Sequence, residues 1–142
     1  MVLLIDTNIL IDVLQNRSPF VDSSSKIWKL CEVGRVKGYV SSLSFANIVY
    51  VLRRQLNEND IKDVLTKLML IFNFADLTSA DLVNAANLKW NDYEDAIQYV
   101  TAKRIHADYV VTRNTKDYAG GLKSITPEEL LAIIYKTVYG EN

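Results

Sequence analysis

Residues 2–8 read VLLIDTN, an unbroken apolar run that passes directly into an acid, a hydroxyl and an amide. A short continuous apolar stretch bounded by polar turn residues is the pattern of a strand covered on both faces, as in a parallel sheet. Asp6 then stands at the carboxyl end of that strand. Open parallel sheets bind ligands beyond that edge, so the stretch that decides the fold also places the first candidate functional side chain.

Outward from it, strands and helices alternate. Asn8 is a helix cap preceding Ile9, Leu10, Val13 and Leu14; a second helix spans 21–33 and closes at Gly34. A strand at 38–41 leads to Ser42, which caps a helix through Phe45, Val49, Tyr50 and Leu52. Ile61, Val64, Leu65, Leu68 and Met69 repeat at helical spacing, 71–75 reads as a strand, and TSAD at 78–81 is a capping box for a helix ending at Trp90 and Asn91. A helix over 92–105, a strand at 109–112, a turn at Gly120 and Gly121, and a strand at 122–125 follow. Thr126 then caps a last helix with Pro127 at its first position. Short connections between alternating elements predict an α/β fold, three-layer α/β/α with a central mostly parallel sheet.

The 142 residues, 49% hydrophobic and 23% charged, suit one globular domain over 1–142 and leave no room for a second. The apolar run at the N-terminus is too short for a signal-peptide core or a membrane span, so a cytoplasmic, non-membrane protein is expected. Cys31 and His106 stand alone, which removes an intrachain disulfide, the usual ligands of structural zinc, and a protease-like triad. With 16 Lys and Arg against 17 Asp and Glu there is no global field for a polyanion, and any nucleic-acid contact must be local. Acid-base and metal chemistry is left mainly to carboxylates, amides and hydroxyls, which suit hard cations.

Asp6, Ser41 with Ser42, and residues 112–117 all fall on the carboxyl edge of the sheet. Each has an ordinary explanation: Asp6 as a cap, Asp92 and Asp95 as acids at a helix N-terminus, Thr112, Asn114 and Asp117 as turn residues. Taken together, carboxylates converging from distant segments repel by on the order of a few kcal/mol unless a divalent cation lies between them. Asp6, Asp95 and Asp117 are therefore the expected ligands of Mg2+ or Mn2+, which can activate water and neutralise a phosphate.

The motifs DTNILID (6–12), SSLSFANIVYVL (41–52), NDYEDAIQYVTA (91–102) and VVTRNTKDY (110–118) together resemble, in order, those of PIN-domain proteins. The resemblance covers nearly the whole chain and implies a metal-dependent ribonuclease with a parallel sheet and an acidic pocket at its carboxyl edge. By position, Asp6 resembles the first family carboxylate, Asp95 the one opening the DAIQ helix and Asp117 the one after TRN, with Thr112 and Asn114 shaping the pocket. Asn47 stands where many members have Glu, which removes one negative charge; Asp92 and Glu94 lie near enough in sequence to restore it. The family also implies RNA as substrate, VapC-like toxin activity, a cognate antitoxin and a homodimer. The alternative that Asn47 leaves open is a catalytically weakened PIN-like module binding RNA or protein. An aspartyl-phosphate enzyme also places Asp after a strand, but its pattern wants a second acid where Asn8 stands.

Asp12, six residues after Asp6, is expected to face away from the pocket as a surface residue. Arg113 and Lys116 are the basic residues placed for backbone phosphates, whereas Arg53, Arg54, Lys103 and Arg104 read as solvated helix faces. Tyr39, Tyr50, Trp90, Tyr93 and Tyr99 could stack on bases of single-stranded RNA, but at helical spacing they read first as packing residues.

Overall fold

The computed structural model of the chain describes residues 1–115 and 122–138. Its sheet contains β1 (Val2–Ile5), β2 (Lys37–Ser41), β3 (Asn73–Ala75), β4 (Tyr109–Val111) and β5 (Lys123–Ile125), ordered β3-β2-β1-β4-β5. Every pairing is parallel, so the mixed component that the sequence left open is absent among the described residues. The helices are α1 (Thr7–Leu14), α2 (Val21–Glu32), α3 (Ser42–Leu52), α4 (Glu58–Ile71), α5 (Ser79–Asn87), α6 (Tyr93–Arg104) and α7 (Pro127–Val138). They cover both faces and complete a three-layer α/β/α arrangement.

β1 lies at the centre because its apolar run suits neighbours on every side. Leu3 and Ile5 point into the larger core with Val40, Val111 and residues of α1 to α4 and α7. Leu4 points the other way, onto Ala102 of α6 and Val110. The period-two alternation of side chains thus feeds two cores from one uniformly hydrophobic strand. Gly38 in β2 is required by the packing beneath it: a Cβ there would lie 2.6 Å from the Cys31 sulfur and 3.1 Å from the Phe72 ring.

Some boundaries differ from the local reading. Asp6, not Asn8, caps α1 by accepting from the Thr7 N–H, and Ser41, not Ser42, caps α3 by accepting from the Leu43 N–H. Ser42 instead donates to the Ala75 carbonyl at 3.0 Å and ties α3 to β3. α5 ends at Asn87, before Trp90, and β3 starts only at Asn73 because α4 continues through Ile71. The glycine turn at 120–121 lies outside the described residues.

The order of connection matters for function. From β1 the chain winds outward through β2 to β3, then crosses back to β4 on the other side of β1. The crevice where winding reverses opens at the carboxyl ends of β1 and β4, the usual ligand position in such sheets. Ile5 and Val111 are register partners, so Asp6 and Thr112 leave the sheet side by side.

Candidate functional site

Asp6 reaches the crevice at the start of α1, in extended geometry. One carboxylate oxygen accepts from the Thr7 amide at 2.8 Å and the other from the Thr112 hydroxyl at 3.0 Å. Thr112 in turn accepts from the Asn114 amide at 3.3 Å, so a single hydroxyl both steadies Asp6 and shapes the turn after β4. Gln98 of α6 lies close enough to Asp6 to help favour its charged form.

α3 and α6 form the facing walls. Asp92 caps α6 by accepting from the Asp95 amide at 3.1 Å, which leaves the Asp95 side chain in the first turn on the same face as Gln98, three residues on. Gln98 is only 7% exposed and donates to the Ser44 hydroxyl of α3 at 3.1 Å. Ser44 and Asn47, also three apart, line the opposite wall.

These side chains enclose a cavity of about 290 Å³ whose lining brings Asp6, Asn47, Asp95, Thr112 and Asn114 together with Asp92, Glu94, Ser44 and Gln98. Burial pushes the Asp6 pKa above its ordinary 3.8, and the negative charge of Asp95 pushes the same way; the bonds from Thr112 and Thr7, with the nearby Gln98, offset this only partly. Two acids from segments far apart in the chain therefore act on one another across a polar cavity, where a cation would relieve the strain.

The donors available are of the right chemistry for Mg2+ or Mn2+: the carboxylates of Asp6 and Asp95, with those of Asp92 and Glu94 also on the lining and amide and hydroxyl oxygens around them. Mg2+ is commonly held by one or two carboxylates and keeps several waters. Among the described residues no group of three His, Cys, Asp or Glu side chains is gathered closely enough to hold a metal, and Asp117, the third expected ligand, lies outside those residues, as does Lys116.

Three expectations about charged residues are corrected. Asp12 does point away from the cavity, but it is fully buried rather than a surface residue, with Arg113 Nε 3.3 Å from its carboxylate. Arg113, expected at a backbone phosphate, is committed to that pair and to the Phe20 ring, 4.1 Å from its centroid. Arg104 is likewise no free helix-face charge, because it binds both oxygens of the buried Asp81. Among the aromatics, Tyr99 packs against Trp90 with centroids 5.0 Å apart, as expected, whereas Tyr50 is 54% exposed. Gln98 and Ser44 were not read from the sequence; the available signal was the helical spacing that sets each on the face of a residue already singled out.

A sequence model of the PIN domain family matches residues 2–116. Comparison with curated proteins finds no match. Among solved structures, the chain is similar to VapBC2 from Rickettsia felis bound to a DNA fragment from its promoter, with a TM-score of 0.65 and 14% identity, covering 89% of this chain and 98% of that one. A toxin-antitoxin complex from Klebsiella pneumoniae gives a TM-score of 0.62 at 23% identity, with 87% and 96% coverage. VapC20 of Mycobacterium tuberculosis, a sarcin-ricin loop cleaving toxin, gives a TM-score of 0.62 at 9% identity, with 76% and 86% coverage.

Proposed function

Because the chain belongs to the PIN domain family, we propose that it is a metal-dependent ribonuclease, hydrolysing RNA phosphodiester bonds as the toxin of a toxin-antitoxin pair. The observation that carries this reading is the meeting of Asp6 and Asp95 in one polar cavity at the carboxyl edge of a parallel sheet. The solved relatives that are toxin-antitoxin complexes support an antitoxin as partner. A homodimer and a cytoplasmic location belong to the same proposal; no helix among the described residues is long and apolar enough to cross a membrane.

Asp6 and Asp95 would hold Mg2+ or Mn2+, with Asp117 as the third ligand. A divalent cation held there supplies water activation and neutralises charge on the scissile phosphate. The protein's own part is positional. Two hydrogen bonds fix the Asp6 carboxylate, one on each oxygen, so little reorganisation is needed when the substrate enters. Asn47 and Asn114 offer amide groups to orient a water or a phosphate oxygen, and Thr112 acts through Asp6. Among the described residues that line the cavity there is no His, Lys or Cys, and direct attack by water is the step proposed. Cys31 is buried elsewhere, its thiol pushed up to about 12.

Purified protein should cleave single-stranded RNA with Mg2+ or Mn2+ and stop with EDTA. Asp6→Asn and Asp95→Asn should each lower the rate about 100-fold or more, about 2.7 kcal/mol in the barrier. Full activity in either variant overturns the assignment. One observation favours a second reading, a weakened binding module: Asn47 lines the cavity where a carboxylate would strengthen cation binding. Calorimetry with Mn2+ separates the two, since a module too weak for turnover gains binding and cleavage together in Asn47→Glu, whereas the nuclease already has both.

A further inference from the structure

The solvent face of α3 leads out of the cavity. Asn47 lines the cavity, Tyr50 follows three residues on along the same side of the helix, and Arg53 and Arg54 stand at the helix end, where Arg53 is the C-cap and Arg54 begins the turn beyond it. Tyr50 is thus about 4.5 Å further along the axis than Asn47, with the two arginines past it at the mouth of the cavity's α3 side. Arg53 stacks its guanidinium over the Tyr50 ring, 4.2 Å from the centroid, and Arg54 lies at 6.0 Å. All three side chains are exposed, so their contacts do not fill a core. An exposed aromatic ring beside two guanidinium groups offers a platform for an unstacked base, alone or with the Arg53 guanidinium plane, and cations for the flanking phosphates.

Electrostatics gives this platform a direction. The α6 wall carries Asp92, Glu94 and Asp95, which repel a polyanion leaving on that side. The α3 wall ends in Arg53 and Arg54, and a chain of side-chain bonds continues the basic edge: Gln15 donates to Gln55 at 3.2 Å, and Arg17 donates to Gln15 at 2.9 Å. The acids that come next, Glu58 and Asp60, sit in the first turn of α4, where the helix N-terminus offsets their charge. For a protein of net charge −1, a local cationic strip is the kind of contact that nucleic-acid binding requires.

We propose that Tyr50, Arg53 and Arg54 form a stacking and phosphate-binding track for single-stranded RNA, leading the strand away from the acidic cavity past the C-terminal end of α3. The assignment rests on the ribonuclease reading for the site at its inner end, yet it is tested by binding alone. Fluorescence anisotropy of a labelled 12-nucleotide single-stranded RNA, without divalent metal, reads the track directly. Tyr50→Ala should weaken binding roughly 5-fold or more while Tyr50→Trp retains it. Arg53→Gln with Arg54→Gln should reduce the slope of log affinity against log salt by about 1.4, two phosphate contacts on a single strand. Lys29→Gln, a charge change at an exposed position on α2, should leave binding and slope unchanged.

RNA binding with these effects but no cleavage under any divalent metal leaves the track standing and removes the nuclease reading. Cleavage with binding and KM indifferent to all three residues overturns the track and leaves the nuclease reading standing. Absence of RNA binding by the unaltered chain overturns the track. So does a change in oligomeric state, rather than RNA affinity, in the Tyr50 or arginine variants, because the face would then be a protein contact.

Discussion

Asp12 holds its carboxylate in a fully buried position against Arg113, whose guanidinium also covers the Phe20 ring. Neither Asp12 oxygen has a hydrogen-bond partner, so the ion pair is the main compensation for lost hydration. Burial raises the Asp12 pKa above 3.8 and outweighs the lowering by Arg113 and Arg17. The fold therefore prefers protonated Asp12, and stability is lost as pH rises through the folded-state pKa. Arg113→Met should make this worse, costing about 3 kcal/mol at pH 7.5 and markedly less at pH 4.5, as read from urea midpoints. The same loss at both values would mean that only packing on Phe20 had been removed. Adding Asp12→Asn to Arg113→Met should recover part of the cost, since the unpaired charge is then gone. Arg113 follows Thr112 directly, so the pair also anchors the turn that presents Thr112 and Asn114 to the cavity. Local sequence gave no hint of it: Asp12 on a short helix looks solvated until α2 and the turn after β4 are packed over it.

At the scale of elements, α6 carries acids into the cavity at its first turn and is clamped at its last residue. Asp81 shares a reciprocal capping box with Thr78, at 3.0 and 3.1 Å, and both its oxygens receive the Arg104 guanidinium, at 3.1 and 3.0 Å. Arg104 also donates to the Asp76 carbonyl. Burial raises the Asp81 pKa, but the bonds from Arg104 and Thr78 outweigh it and leave the group below 3.8. Its contribution is thus present above 3.8 and fades as pH falls through the lower folded value. Asp81→Asn should cost about 1 kcal/mol at pH 7, a modest figure because the Arg104 side chain is 38% exposed and solvent screens the pair. Guanidinium denaturation should show that difference shrinking at pH 3; a constant difference would assign the cost to packing. The capping box was legible because its two groups lie three residues apart, whereas Arg104 lies 23 residues from Asp81 and no periodicity connects them. Strand and helix ends shifted for a related reason: Asp6 and Ser41 serve both the sheet edge and the helix start, and local pattern assigns such residues to one or the other.

Over the whole molecule, the parallel sheet was legible because β1 is apolar on both faces and helices separate it from every partner strand. The convergence of Asp6, Asn47, Asp95, Thr112 and Asn114 was legible only as a consequence of that topology, since each residue alone is common cap or turn material. Gln98 and Ser44 were not, because a buried polar bridge between two helices depends on how closely the helices pack. The same convergence implies a conflict between stability and function. The folded-state pKa of Asp6 lies above 3.8, so its ionised form costs stability as pH rises through that value. At pH 7 without metal, Asp6→Asn should therefore raise stability by about 1 kcal/mol, because Asn remains an effective helix cap and no longer opposes Asp95. A bound cation should reverse this ranking. Mn2+ at about 100 times its dissociation constant stabilises by about 2.7 kcal/mol, which raises the melting temperature of a domain this size by roughly 10 °C. Differential scanning calorimetry of both proteins, with and without Mn2+, should show the unaltered chain melting lower without metal and higher with it, while Asp6→Asn stays where it is. A metal response that survives in Asp6→Asn would remove Asp6 from the ligand set, and an unaltered chain that ignores Mn2+ would remove the metal from the proposal.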